Sequence, residues 1–143
     1  MTYSTKLAEM LCTKLCHDLT GPIGAIANGA EFLAEGDSDL TEQATELISQ
    51  SAEQAVNRLQ FYRAAYGRIN HDGEASLDDS KKTIRDFFVG SKITLDWPDE
   101  YTDAVRISVS RKLARLLYNI CLITSGTLIR GGDLSIRLYS EGD

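Results

Sequence analysis

The chain has 143 residues, 43% hydrophobic and 25% charged, with a net charge of −6 at pH 7. That is enough apolar material for one packed domain or two small ones, and the acidic balance excludes a non-specific nucleic-acid binder or a basic membrane-surface patch. No apolar run approaches the roughly 20 residues of a membrane-spanning helix, and the amphipathic start is not a signal peptide.

The first predicted element is a helix over about residues 5–33. With Leu15 as the origin and about 100° per residue, Leu11, Leu19, Pro22, Ile26 and Leu33 fall on one side, with Ile23 and Ala30 on the flank. Pro22 lies inside this stripe, so a local kink is expected and not a helix end. His17 lies about 200° from Leu15 on the same wheel, opposite the stripe. Met10, Thr13, Thr20, Gly21, Gly24 and Asn28 share its face, and four of these six are Gly or Thr. Each interior helical glycine costs roughly 1 kcal/mol against alanine. A surface kept low around an exposed histidine gives that cost a use, because another protein can then approach closely.

Gly36 is expected to end this helix, and Asp37, Ser38 and Asp39 to turn the chain. Asp39 with Glu42 is a candidate cap for a second helix reaching Tyr66. Its apolar stripe is Ala44, Ile48, Ser51, Ala52, Ala55, Leu59, Tyr62 and Tyr66. The short link makes the two helices antiparallel. At 1.5 Å per residue each is about 40 to 45 Å long. Two such helices cannot fully bury their stripes on each other. A homodimer would complete a four-helix bundle, and the alternative is that the second half of the chain covers the stripe.

Residues 67–75 are polar with two glycines and read as a break between domains, with the linker proper at 69–75. The expected division is a helical hairpin at 1–68 and an α/β domain at 76–143, which makes the fold class α+β. In the second domain Ser76 caps a helix to Gly90 whose apolar side is Ile84, Phe87, Phe88 and Val89. Residues 92–97 alternate like a strand, and 104–107 suggest another. Ser108 is expected to cap a helix to Ile129 that carries Leu113, Leu116, Leu117, Ile120, Leu122 and Ile123. Residues 130–132 break it, and 134–139 form a final strand.

The chemistry concentrates at His17. A neutral imidazole nitrogen is a competent phosphoryl acceptor near neutral pH. The other ring nitrogen must be held as N–H, and Asp18 is the adjacent carboxylate that can hold it. Phosphoryl transfer rests mostly on positioning and electrostatics, so a carrier needs few groups if its partner supplies Mg²⁺ and an aspartate. Spacing alone equally admits a solvent-facing histidine with no task. In an antiparallel hairpin residue 17 is level with about residue 59. Arg58 and Arg63 flank that level, with Lys14 on the first helix. They either attract a phosphorylated acidic partner or merely solubilise the helix flanks.

The three cysteines, Cys12, Cys16 and Cys121, are odd in number and give no disulfide framework, so a reducing cytoplasm fits best. The Cys12–Cys16–His17 spacing has one residue too many for c-type haem attachment. A metal site there is not expected, because the cysteines lie near the apolar flank and the histidine does not. Cys121 reads as a small core residue and His71 as a solvated linker residue.

Residues 15–29 (LCHDLTGPIGAIANG) resemble the first helix of the ChpT-type histidine phosphotransferases of alphaproteobacteria. Residues 58–67 (RLQFYRAAYG) resemble the end of their second helix. Residues 116–119 (LLYN) and 128–132 (LIRGG) look like their second domain. The resemblance implies a dimeric four-helix bundle like that of sensor kinases, followed by a degenerate kinase ATP-binding-type domain. It implies that His17 relays phosphoryl groups between the receiver domain of a hybrid kinase and downstream response regulators, in a relay that feeds cell-cycle control. His17 is then the acceptor, Asp18 its adjacent acid and Pro22 the proline of the histidine box.

The chain also departs from the sensor-kinase pattern. Gly21 stands where sensor kinases commonly have the Thr or Asn that assists phosphatase activity. Asn119 resembles the first asparagine of a kinase nucleotide box, but Ile123 replaces the second, and no Asp-x-Gly-x-Gly run occurs. ATP binding and a bound cofactor are therefore not expected. The chain ends at Asp143, earlier than the resemblance implies. The competing readings are a fragment of a true sensor histidine kinase and a non-catalytic dimerisation or docking module.

Overall fold

A computed structural model describes residues 3–36, 38–67, 73–98 and 108–138. His71 and the strand expected at 104–107 lie outside the described residues. The chain divides into two compact units, Met1–Tyr62 and Arg63–Asp143.

The first unit is built on α1 (Tyr3–Glu35) and α2 (Ser38–Tyr66). The helix pattern runs through Pro22, which is buried, and Gly36 closes it at φ 75°. Only Gly adopts such a backbone without a Cβ penalty. α2 begins at Ser38, so the backbone of Asp39 falls inside its first turn. Two contacts fix the direction of the hairpin. Asp18 meets Arg58 and Tyr62, whereas Gly29 lies against Ala44 and Ile48. Advancing along α1 therefore means retreating along α2, as an antiparallel pair requires. The close approach at Gly29 needs glycine. A Cβ there would sit 2.7 Å from Ile48 Cγ1 and 3.1 Å from the Ala44 carbonyl oxygen.

The expected stripe of α2 is buried at Ala44, Ser51 and Tyr62, but Leu59 is 52% exposed and Phe61 is fully buried in its place. On α1, Ile23 and Leu33 are likewise exposed. A wheel gives the direction of a side chain but not which face finds a neighbour.

The second unit contains β1 (Glu74–Ser76), α3 (Leu77–Phe88), β2 (Ile93–Asp96), β3 (Ser108–Ser110), α4 (Arg111–Thr127) and β4 (Gly132–Ser135). Among the described residues the strands form two pairs. β1 runs antiparallel to β3, with Ala75 opposite Val109. β2 runs parallel to β4, with Leu95 opposite Leu134. Parallel neighbours need a crossover, and α4 lies in it. The core collects Leu77, Ile84 and Phe88 of α3, Ala114, Tyr118 and Cys121 of α4, and Trp97. Lys81 is buried too. Its Nζ donates to the Pro98 carbonyl at 2.5 Å and lies 5.6 Å from the Trp97 ring centroid.

Several boundaries differ from expectation. Ser76 caps α3 as expected, accepting from the Asp79 amide at 3.2 Å. Residues 74–75 are strand and not linker, because they pair with β3. Ser110, not Ser108, caps α4, because Ser108 is engaged in the β1–β3 ladder. α4 stops at Thr127, and its buried face is Ala114, Tyr118 and Cys121, while Leu113, Leu116, Ile120 and Ile123 are exposed. Val89 caps the end of α3 and is exposed, not packed. β4 begins at Gly132, whose amide donates to the Lys92 carbonyl and so starts the ladder early. No described helix is long and apolar enough to cross a membrane.

Candidate functional site

His17 and Asp18 are adjacent on α1, so about 100° of helix separates their side chains. That rotation carries one residue outward and the other against α2. The His17 side chain is 83% exposed, whereas that of Asp18 is 13% exposed.

Four groups converge on Asp18. Lys14, one turn earlier, places Nζ 3.0 Å from Oδ1 and 2.9 Å from Oδ2. Tyr62 donates its hydroxyl to Oδ2, and Arg58 donates Nη1 to the Asp18 carbonyl oxygen. Arg58 and Tyr62 are four apart on α2 and so share a face. His17 Nδ1 lies 3.0 Å from Oδ1. Burial alone would raise the Asp18 pKa. The hydrogen bonds from Tyr62, Lys14 and His17, with the charge of Lys14, outweigh it and hold the carboxyl below its ordinary 3.8. Asp18 is therefore anionic at neutral pH.

An anionic acceptor beside Nδ1 selects the tautomer. With the ring proton on Nδ1, that nitrogen donates to Asp18, and Nε2 keeps its lone pair. The exposed ring then offers Nε2 to an electrophile carried by another molecule.

The rest of the expected site divides. Met10, Thr13, Thr20, Gly21, Gly24 and Asn28 are all exposed on α1. The Thr13 and Thr20 hydroxyls donate to the carbonyls of Glu9 and Cys16 at 2.8 and 2.7 Å, back along their own helix. A Cβ at Gly21 or Gly24 would meet nothing within 4 Å, so this face is low and open. Lys14 and Arg58 join the Asp18 cluster. Arg58 is engaged by a backbone carbonyl there and does not stand free at the flank. Arg63 does not join the cluster and lines a cavity in the second unit.

Tyr62 is the residue that sequence reasoning assigned to packing alone. Its ring is buried as expected, but its hydroxyl serves Asp18. The antiparallel register and the four-residue step from Arg58 carry the signal that could have placed it there.

The profile of the Histidine phosphotransferase C-terminal domain matches residues 77–143. Residues 77–143, just under half of the chain, are thus similar to the C-terminal domain of histidine phosphotransferases. The chain is also 37% identical over 133 residues to the protein phosphotransferase ChpT of Brucella abortus (strain 2308), covering 92% of this chain. A solved structure of a bacterial phosphotransferase matches 99% of this chain at 35% identity with a TM-score of 0.75. The ChpT-type resemblance thus holds over most of the chain. The chain spans 60% of the length of the Brucella relative and 64% of that solved chain.

Proposed function

We propose that this chain is a histidine phosphotransferase in which His17 Nε2 relays a phosphoryl group between receiver-domain aspartates, from a hybrid histidine kinase to response regulators. The observation that carries this reading is the exposed imidazole whose Nδ1 is bound by an anionic Asp18. In the step, the Nε2 lone pair forms an N–P bond while the P–O bond of an aspartyl phosphate breaks. The aspartate carboxylate leaves with the bonding pair. The ring keeps its Nδ1 proton and gains positive charge, which Asp18 stabilises. Mg²⁺ belongs to the receiver in this scheme, since its phosphorylated aspartate carries the charge to be neutralised.

The first unit supplies half of a bundle in this reading. Ile23, Val56 and Leu59 remain exposed at neighbouring levels of the hairpin, and a second copy packed there as a four-helix dimer would bury them. The second unit is read as a degenerate kinase ATPase-like domain that does not bind ATP, on the absence of the glycine-rich nucleotide motif. The free thiols of Cys12, Cys16 and Cys121 favour a reducing cytoplasm.

The test is incubation with a phosphorylated receiver domain and Mg²⁺, followed by detection of acid-labile phosphate on this chain. Label on the wild type and none on His17→Ala is the expected result. Receiver binding without label would favour a docking module, and ATP binding in a nucleotide titration would favour a sensor-kinase fragment.

A further inference from the structure

The second unit contains a cavity of about 280 Å³ lined by Arg63, Arg111 and Arg115. Three arginines line it in a chain that carries only 15 basic residues against 21 acidic ones. Among the described residues no carboxylate lines the cavity. Among the described residues, none pairs with any of the three arginines. Two of them are held by their Nε edge. Arg115 Nε donates to the Ala65 carbonyl at 2.7 Å and Arg111 Nε to that of Glu74 at 3.4 Å. Each leaves its terminal nitrogens, with their four N–H donors, for other acceptors.

We infer that this cavity binds the phosphate group of a small phosphate monoester. Like charges gathered around one space repel, and an anion between them reverses the sign of the interaction. A carboxylate offers two oxygens and is satisfied by one bidentate arginine. A phosphate offers three acceptor oxygens in a tetrahedral array and suits several guanidinium forks. The volume points to more than the anion. At roughly 30 Å³ for each water the cavity would hold several waters beside a lone phosphate, and it stands near the lower end of small-molecule pockets, about 300 Å³. Ala114 and the buried ring of Tyr118 give the organic portion an apolar wall. Nothing in the proposed chemistry of His17 uses these groups.

The experiment is an NMR titration of the whole ¹⁵N-labelled chain at fixed ionic strength. The probes are ribose 5-phosphate, inorganic phosphate and ribose. Saturable shifts of the Arg63, Arg111 and Arg115 Nε–Hε resonances with ribose 5-phosphate are expected, weaker binding of inorganic phosphate, and none of ribose. Arg63→Gln, at an exposed position, should weaken ester binding by about tenfold, the scale of one charge-assisted bond. Its backbone spectrum should otherwise match the wild type. His17→Ala should bind the ester as the wild type does, which separates this cavity from the phosphotransfer site. Failure of either phosphate to saturate by roughly 10 mM, or equal affinity in Arg63→Gln, would overturn the inference. Equal affinity for inorganic phosphate would overturn the ester. Receiver binding that depends on Arg63 without any phosphate binding would make the arginines a protein contact instead.

Discussion

Tyr62 donates its hydroxyl to Asp18 Oδ2 across the helical hairpin. The phenol that fills the α2 face thereby also helps to hold down the pKa of the carboxylate beside His17. Tyr62→Phe keeps the ring and deletes the donor. A hydrogen bond to a charged group contributes about 1.5 to 3 kcal/mol, and this carboxylate retains some solvent, so a loss of about 1 to 2 kcal/mol is expected. Urea unfolding at pH 7 measures it.

The same substitution changes the acid limb of stability. Asp18 is held below 3.8 in the folded chain. Its contribution is therefore complete above the unfolded value of about 3.9 and is lost as pH falls through the lower folded value. Tyr62→Phe raises the folded value toward the unfolded one. Stability measured from pH 6 downward should fall less steeply below about pH 4 in the variant than in the wild type. Parallel acid limbs would show that Tyr62 does not tune this carboxyl.

Asp18→Asn retains the shape of the side chain but removes its charge. The phosphorylated ring then loses its counter-charge and the proton on Nδ1 its acceptor preference. Rapid-quench transfer from a phosphorylated receiver should slow by at least about tenfold, the lower bound for a charge-assisted bond. Receiver affinity measured by titration should change far less. An equal loss in both would make Asp18 a docking residue.

The three α1 glycines should respond differently to alanine. Gly29→Ala drives a Cβ against Ile48 and the Ala44 carbonyl, and overpacking of this kind costs about 1 to 3 kcal/mol. Helix propensity returns roughly 1 kcal/mol of that. Gly21→Ala and Gly24→Ala meet open space and should stabilise by up to about 1 kcal/mol each. Thermal unfolding of the three variants checks the signs. If a receiver lies on this face, the two stabilised variants bind it more weakly.

Thiol reactivity should separate the cysteines. Burial pushes the Cys121 thiol up to about 11, whereas Cys12 and Cys16 are exposed. Thiolate is the reactive form. A chromogenic disulfide at pH 8 should therefore modify two thiols rapidly in the native chain and the third only after denaturation. Fast modification of all three would contradict the packed position of α4.

The amphipathic period, the glycine at residue 36 and the adjacency of His17 to Asp18 are local properties. The sequence by itself determined from them two long helices, their antiparallel turn and an outward histidine. The same reasoning located Ser76 as a cap, because a cap is satisfied by an amide three residues on. It misplaced the cap of α4, because Ser108 is claimed by a strand partner more than thirty residues earlier. It also left the α4 surface unread, since Leu113, Ala114 and Leu116 differ in burial through what packs beside them and not through polarity. Arg63 shows the same limit: its level on the hairpin suggested a neighbour of His17, yet it lines the cavity with Arg111 and Arg115. Only the tertiary structure decided that Tyr62 meets Asp18, that Arg58 caps a carbonyl and that three arginines share one space. Periodicity fixes a side chain's direction, but the partner at the end of that direction comes from a distant part of the chain.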